Sequence, residues 1–525
     1  MAKRDRMLIA QVEPPHVTRG GDWYYRTHSP GTALAEHDDV YVVDLTNVHR
    51  RREEILSRAD IVVLNMVCDP DLLPLISDRR RRGLVTVHEV NDDVACMQPW
   101  NPPAAFYANP DHQMLFRMLI RACNGVQFST LELERIYGGL NPSRAVFPNQ
   151  IARSPAWPRP KSPLTAPIVV GWGGSLGHLQ DIAAVADPLV DWVRAHDDVV
   201  LHVMCADEIW SLFQRLPRHK KRRFEIGDID AYHVFVAGLD IGIAPLEDTG
   251  FNRCRSDVKF LEYGLHGVVP VVRALAPYER TVKSRVTGLL FHDAPEMIAL
   301  LDELIRGPEL RSRIAARARA YVLTERSERA HSEKRLEFYR SLLSKRGPGT
   351  SREALELFGR LCGTEGSALR GRHLGLDPTR YELLLHQALV LGQKEARREE
   401  AVGLLRKAAE LEPNAYQPHL FGARMSTCPI EWLRTALEKN PRSLKAHVVL
   451  AERLAEEGRI EETLRAMLAA AELYPAYDVP YARLARMLFR WDQPAEAERF
   501  VEVATALRRP YLDLGSRPRK AATPV

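Results

Sequence analysis

LDIGIAPLEDTGFNRCRSDVKFLEYGLHGVVPVV, residues 239 to 272, decides the fold. An apolar run, Leu239 to Ala244, enters a polar loop. A short helix follows, and a second apolar run covers Val268 to Val272. Strand, loop, helix and strand in that order form the repeating unit of a parallel sheet. Such sheets bind ligands at the carboxyl ends of their strands, where this loop falls.

The start of the helix carries the chemistry. Ser256 reads as its N-cap, and Asp257 suits the first turn. Lys259 then takes the third helical position, where a Glu would complete a capping box. A cation at the positive end of a helix costs about 0.3–1 kcal/mol unless an anion is bound there. Lys259 and Glu262 lie three apart and share a face. A cation beside free backbone N–H groups makes a phosphate site, and Glu262, one turn deeper, is placed to accept from ribose hydroxyls. A local Lys–Glu ion pair on a solvated face accounts for the same spacing.

DIGIAPL followed by FNRCRSDVKFLEYGLHGVVPVV resembles the donor-site signature of GT-B glycosyltransferases of the "group 1" type. Those enzymes usually carry two Glu eight positions apart. The second matches Glu262; the first would fall at Cys254, a residue that cannot do its job. Some subfamilies carry an FNR…KS…K…LEY pattern instead. This chain resembles them through Asn252, Arg255, Ser256, Lys259 and Glu262. The resemblance implies two Rossmann-like halves of a GT-B fold and a nucleotide-diphosphate sugar as donor. It implies transfer to an acceptor hydroxyl, usually with retention of configuration and without metal or other cofactor.

The chain has 525 residues, enough for about three domains. Its 45% apolar and 27% charged residues are ordinary for globular protein. A net charge of +5 is too mild to argue for nucleic acid. Two basic runs stand out, Arg79 to Arg82 and Arg215 to Arg223. Each reads as a solvated helix end, the alternative being an anionic acceptor or peripheral membrane contact. Seven cysteines are scattered without CxxC or zinc spacing, which suits a reducing, cytoplasmic setting. The first residues lack the apolar core of a signal peptide, and no apolar run approaches the roughly 18 residues of a membrane span.

Residues 1–160 alternate strands, at Met7 to Val12, Val40 to Leu45, Ile61 to Met66 and Leu84 to Glu89, with helices. This is one Rossmann-like, acceptor-side half. Ile151 to Pro167 is Pro-rich and reads as a linker. A second alternating half, residues 161–345, would bind the nucleotide-sugar. In GT-B proteins its last helix often crosses back to the first domain. After RGPGTSRE the pattern changes to helices only. Pro378, Pro413, Pro441, Pro475 and Pro510 mark successive helix ends, with a spacing close to the tetratricopeptide period. Residues 350–515 are thus expected to be a separable module of helix pairs that binds a protein or peptide, and the tail after Ser516 to be disordered. An irregular helical bundle fits as well.

GWGGSLGH follows a strand and precedes a helix, but its third glycine, Gly177, is one place late for the dinucleotide fingerprint. A nicotinamide dehydrogenase is therefore disfavoured. Gly173, Gly174 and Ser175 permit close approach of backbone to phosphate. His178 is a donor-side candidate or a cap. In the first half, Gly20 and Gly21 resemble the glycine loop that faces the donor, and Arg26 either neutralises phosphate or makes a structural ion pair. Glu89, Asp92 and Asp93 end a strand at the cleft, where they would orient an acceptor, act as base if the enzyme inverts, or cap the next helix. Asp228 and Asp230 form a D-x-D that reads as a turn.

Two functions remain. One is a glycosyltransferase whose diphosphate leaving group is stabilised by Lys259, Arg255, Ser256 and the Gly173–Ser175 backbone. The other is a non-catalytic scaffold with a vestigial transferase half. Cys254 favours the second; Lys259 and Glu262 favour the first.

Overall fold

The computed structural model describes residues 6–15, 20–152, 157–158, 167–343, 350–364, 368–376 and 378–512. Most of the linker between 151 and 167, most of the break after 343 and the tail after Ser516 lie outside the described residues.

Six parallel strands build the first sheet: β1 (Met7–Glu13), β2 (Val40–Thr46), β3 (Ile61–Asn65), β4 (Val85–Val90), β5 (Gly125–Phe128) and β6 (Arg144–Val146). Their order is β2-β1-β3-β4-β5-β6. A second parallel sheet holds β7 (Ile168–Gly173), β8 (Val199–Met204), β9 (Lys221–Phe224), β10 (Ile241–Ala244), β11 (Val269–Arg273) and β12 (Leu289–Phe291), in the order β12-β11-β10-β7-β8-β9. Strands β1 and β7 are buried along their whole length. Helices on both faces explain why they read as continuous apolar runs. In each sheet the order reverses at the first strand. The carboxyl ends of β1 and β7 are therefore the switch points where a crevice opens.

The chain crosses between the halves twice, and the crossings are tied together. Ile151 N–H donates to Arg326 O (2.7 Å), and Glu328 N–H donates to Ile151 O (3.0 Å). Helix Glu328–Leu342 then lies on the first domain, where Leu336 and Tyr339 are buried with Met7, Ile9 and Val42.

The next segment departs from the expectation of helices alone. Helix Thr350–Thr364 is succeeded by strands β13 (Ala368–Arg370) and β14 (His373–Gly375). They form an antiparallel hairpin whose turn contains Gly371 at φ 63°, a left-handed conformation that glycine adopts freely. β14 pairs in parallel with β2, extending the first sheet to eight strands. Strands of three residues are too short to show a period of two, which is why the pattern hid them.

From Arg380 onward the described residues form eight α-helices in successive packed pairs. Ala451 and Ala470 are fully buried in this region. Pro413, Pro441 and Pro475 each follow a helix, but Pro510 lies inside helix Pro494–Leu512. The region is not a detached module. One hydrophobic core joins Leu8, Val43, Leu72 and Met114 of the first domain to Leu357, Phe358, Leu361, Leu444, Ala451 and Leu484.

The basic runs are also less solvated than expected. Arg79 is buried and donates to Ala59 O (2.9 Å) and Val85 O (2.6 Å). Burial pushes its guanidinium down to about 9. Lys220, 6% exposed, donates to His196 O (2.6 Å) and Asp197 O (2.9 Å). Each long cation ties off carbonyls at the end of a helix or strand.

Candidate active site

A cleft of about 520 Å³ lies between the two sheets at the carboxyl ends of β1 and β7. The loop after β10 supplies one wall and leads into helix Val258–His266, which Gly267 closes in the left-handed conformation (φ 69°). The helix starts one residue later than expected. Asp257, not Ser256, holds the cap position, and makes no side-chain cap there. Its carboxylate instead accepts from Arg326 Nη1 (2.5 Å) and Nη2 (3.1 Å), a stronger partner than a neutral N–H. The Ser256 hydroxyl accepts from Asn149 Nδ2 (2.9 Å). Lys259 is consequently the second helical residue.

Lys259 does pair with Glu262, at 3.5 Å, but on a buried face that lines the cleft rather than a solvated one. Its ammonium donates to Tyr232 Oη (2.5 Å) and sits 4.3 Å from that ring's centroid. Burial pushes the ammonium below its ordinary value, against the pull of Glu262. Glu262 accepts from Tyr25 Oη (3.1 Å) and Tyr232 Oη (2.9 Å). Both phenols are raised well above their usual range, first by burial and then by the Glu262 charge. Tyr25 comes from the first domain, so this carboxylate is held from both sides of the cleft.

The remaining second-domain candidates form one polar chain. His178 Nδ1 is 2.8 Å from Asp181 Oδ2. Asp181 Oδ1 accepts from Asn252 Nδ2 (2.6 Å) and Glu247 N–H (2.9 Å). Asn252 Oδ1 accepts from Arg255 Nε (3.1 Å). Asn252 is therefore a buried strut that aims Arg255, which also lies 4.9 Å from the Phe251 ring. Burial, and then the Arg255 charge, lower His178 to about 4, so at neutral pH its ring is uncharged. With Nδ1–H on Asp181, Nε2 is left as an acceptor.

The glycines at the end of β7 also serve packing, and Gly174 lines the cleft. Gly174 N–H donates to Met204 O (3.0 Å), so that amide is spent on the sheet. A Cβ on Gly173 would lie 2.9 Å from Tyr232 and Phe235, and one on Gly174 2.5 Å from the Trp172 ring. These glycines are set by packing of aromatic rings. Ser175 is exposed and lines the cleft.

In the first domain, Gly20, Gly21 and Asp22 line the cleft and lead into a π-helical turn, Trp23–His28. Arg26 is locked: Nε donates to Glu89 Oε1 (2.9 Å), and Nη1 donates to Asn149 Oδ1 (2.7 Å) and Phe147 O (2.9 Å). The structural ion pair is thus the observed one. Glu89 is wholly buried, also accepts from Gln127, and does not line the cleft. Asp93 accepts from Tyr137 Oη (2.7 Å) and Ala95 N–H (3.1 Å), a turn-capping role. Of the three carboxylates in and after the end of β4, only Asp92 faces the cleft. Burial, with Asp22 and Asp93 nearby, pushes it up to about 7 against the pull of Arg255.

Cys254 is buried among first-domain residues that include Val90, Phe116 and Tyr137, and its carbonyl accepts from Thr130 Oγ1 (3.0 Å). Its thiol is pushed up by burial. The position where the first Glu of the pair would be sought therefore serves the domain contact. Asp228 caps helix Ile229–Ala237 by accepting from Ala231 N–H (2.9 Å), and Asp230 accepts from Trp157 Nε1 (2.7 Å). Sequence reasoning missed Tyr232 and Asn149, which carry no motif. It also passed over Tyr25 and Asp22, although both lie between Gly20 and Arg26.

No family model matches this chain, and no curated protein matches it. Solved structures do. Sucrose-phosphate synthase from Thermosynechococcus elongatus is 14% identical, over 65% of this chain and 100% of that one, with a TM-score of 0.47. HepE from Anabaena, solved with UDP-glucose, is 13% identical over 64% of this chain and 100% of that one, with a TM-score of 0.46. A glycosyltransferase from Rickettsia africae is 13% identical over 65% and 99%, with a TM-score of 0.45.

Proposed function

We propose that this chain is a GT-B glycosyltransferase that moves a sugar from a nucleotide-diphosphate donor to an acceptor hydroxyl. One observation carries the reading. Lys259 and Arg255 line a single interdomain cleft beside the N-terminus of helix Val258–His266, with Glu262 held one turn deeper. As the glycosidic bond to the diphosphate breaks, negative charge grows on the leaving oxygen. A buried ammonium, a guanidinium aimed by Asn252 and a helix N-terminus are preorganised to stabilise it. Glu262 and the two tyrosines offer partners for donor hydroxyls. In a retaining reaction no separate base is needed, and Asp92 orients the acceptor hydroxyl. The C-terminal helix pairs are read as tetratricopeptide-like, offering a surface to a protein or peptide.

The test is calorimetry of the full chain with a panel of nucleoside diphosphates and their sugars. A Lys259→Ala chain of unchanged thermal stability should bind its nucleoside diphosphate about 10- to 100-fold more weakly, the range of a charged hydrogen bond. Unchanged affinity would remove Lys259 from the site. No binding by the parent chain would favour the scaffold. Donor turnover in EDTA should equal that with Mg²⁺. A loss restored by Mg²⁺ or Mn²⁺ would overturn the metal-independent mechanism and return attention to Asp228 and Asp230.

A further inference from the structure

Outside the cleft, three side chains from distant parts of the chain converge. His28 closes the π-helical turn after β1, Asp44 lies near the end of β2, and His373 opens β14. One nitrogen or oxygen from each lies within 4.8 Å of the others, the one such His/Cys/Asp/Glu group among the described residues. Asp44 and His373 are buried, and the His28 side chain is 19% exposed.

The surrounding hydrogen bonds fix how these groups point. Thr32 Oγ1 donates to His28 O (2.9 Å), which uses its only proton. The same oxygen lies 2.9 Å from His373 Nδ1, where the direction of the contact follows the ring's tautomer. His373 Nε2 then faces Asp44 Oδ2 at 2.7 Å. The carboxylate only accepts, so a ring N–H or a metal cation lies between the two atoms. The other carboxylate oxygen, Oδ1, accepts from Gln11 Nε2 (2.7 Å), which also donates to Thr27 O (2.8 Å). His28 Nδ1 completes the group 3.9 Å from Asp44 Oδ2, too far for a hydrogen bond.

A second observation concerns space. A Cβ on Gly31 would fall 2.4 Å from Gln11 Nε2 and 3.0 Å from His373 Nε2. Only glycine leaves this side of the ligand atoms open.

We propose that His28, Asp44 and His373 hold one borderline divalent transition-metal ion, Zn²⁺ in preference to Mg²⁺. Two imidazoles and a carboxylate are the donor set of such ions, whereas Mg²⁺ takes oxygen and keeps its water. Ligand atoms about 2.0–2.2 Å from Zn²⁺ stand about 3.2–3.5 Å apart in a tetrahedral site. That is between the 2.7 and 3.9 Å found here. Thr32 and Gln11 supply the outer hydrogen bonds that orient metal-binding His and Asp side chains. The ion would bolt the hairpin of the C-terminal region to the turn carrying Tyr25 and Arg26. It would act as a structural ion, leaving the transfer step without a metal.

The full chain, stripped with a chelator and dialysed, should take up one equivalent of Zn²⁺ in competition with a chromophoric chelator. Excess Mg²⁺ should not displace it, and the thermal midpoint should rise with Zn²⁺. His28→Asn, at the partly exposed ligand, should keep the fold and weaken Zn²⁺ by at least tenfold. His373→Gln should weaken it further, and if that chain fails to fold, His28→Asn alone decides. Less than one equivalent bound at ten-micromolar free Zn²⁺ would leave a plain His373–Asp44 hydrogen bond and overturn the proposal. So would an affinity unchanged by His28→Asn.

Discussion

On one side the first domain meets the second through polar contacts around the cleft. Arg326 bridges Asp257 and the Asn149 carbonyl, Arg280 donates to Glu132 Oε2 (2.6 Å), and Asn149 links Arg26 to Ser256. The apolar crossings in the buried clusters are few among the described residues: Trp23, Tyr24, Tyr25 and Ile151 one way and Cys254 the other. On its opposite side the same domain shares a continuous apolar core with the C-terminal helices. A polar contact with a crevice in it can open and close at modest cost. A shared core cannot part without exposing apolar surface at about 25 cal/mol per Å². Opening of the cleft is therefore expected at the first interface, while the helical region shares the core of the first domain.

The harshest way to break this comparison is to cut the chain after Leu343. Helix Thr350–Thr364 buries Leu357 and Leu361 completely and Phe358 to 6% exposure. Losing three such side chains, at about 2–5 kcal/mol each, consumes a typical folding stability of about 5–15 kcal/mol. The shortened chain should be insoluble, or lose cooperative melting and nucleotide binding together. A soluble, cooperatively melting product that still binds donor would restore the picture of a detachable module.

A finer cut uses one carboxylate of the sealed interface. Asp71 accepts from Tyr416 Oη (3.0 Å), Ser443 Oγ (2.7 Å) and Lys445 N–H (3.0 Å), all from the C-terminal region. Asp71→Asn turns one acceptor atom into a donor facing donors. The cost should be about 1–3 kcal/mol, seen in chemical denaturation as one cooperative transition moving as a whole. A variant that loses only the helical transition, leaving a second one unmoved, would show two independent bodies.

The strand order was partly legible because buried parallel strands such as Ile241–Ala244 are unbroken apolar runs. The tie of β14 to β2 was not, since His373 pairs with Val42, 331 positions away, and reaches Asp44, 329 away. At the site, Lys259 and Glu262 could be read from helical spacing, whereas Arg255, before the helix, came only with the resemblance. Glu89 could not be separated from Asp92 by spacing. Which of them turns inward depends on Arg26, an ion pair 63 residues away. Tyr232 and Tyr25 act through hydroxyls on rings that, in sequence, look like core.

The last test concerns Asp92, which differs from Asp71 in facing the cleft. Burial raises the carboxyl of both, to about 7 for Asp92, and Asp69 raises Asp71 further. Linkage gives the sign. Between the ordinary 3.8 and the raised value, the folded state binds more protons than the unfolded state. Each group's contribution to stability is therefore complete below about pH 4 and is lost as pH rises through the folded value. Asp71 reaches no solvent that substrate enters, so its titration should show only in stability. Asp92 should show in turnover as well, because an acceptor hydroxyl is oriented by the carboxylate and not by the acid. With a pKa near 7, the carboxylate fraction rises about tenfold between pH 6 and 8. Transfer to acceptor at limiting acceptor should climb with it and then level, while donor binding stays flat on account of His178, already neutral above about 4. In Asp92→Asn the rising limb should vanish and transfer should stay low at both ends. A limb that survives the substitution would assign the titration to another group and leave Asp92 a wall residue.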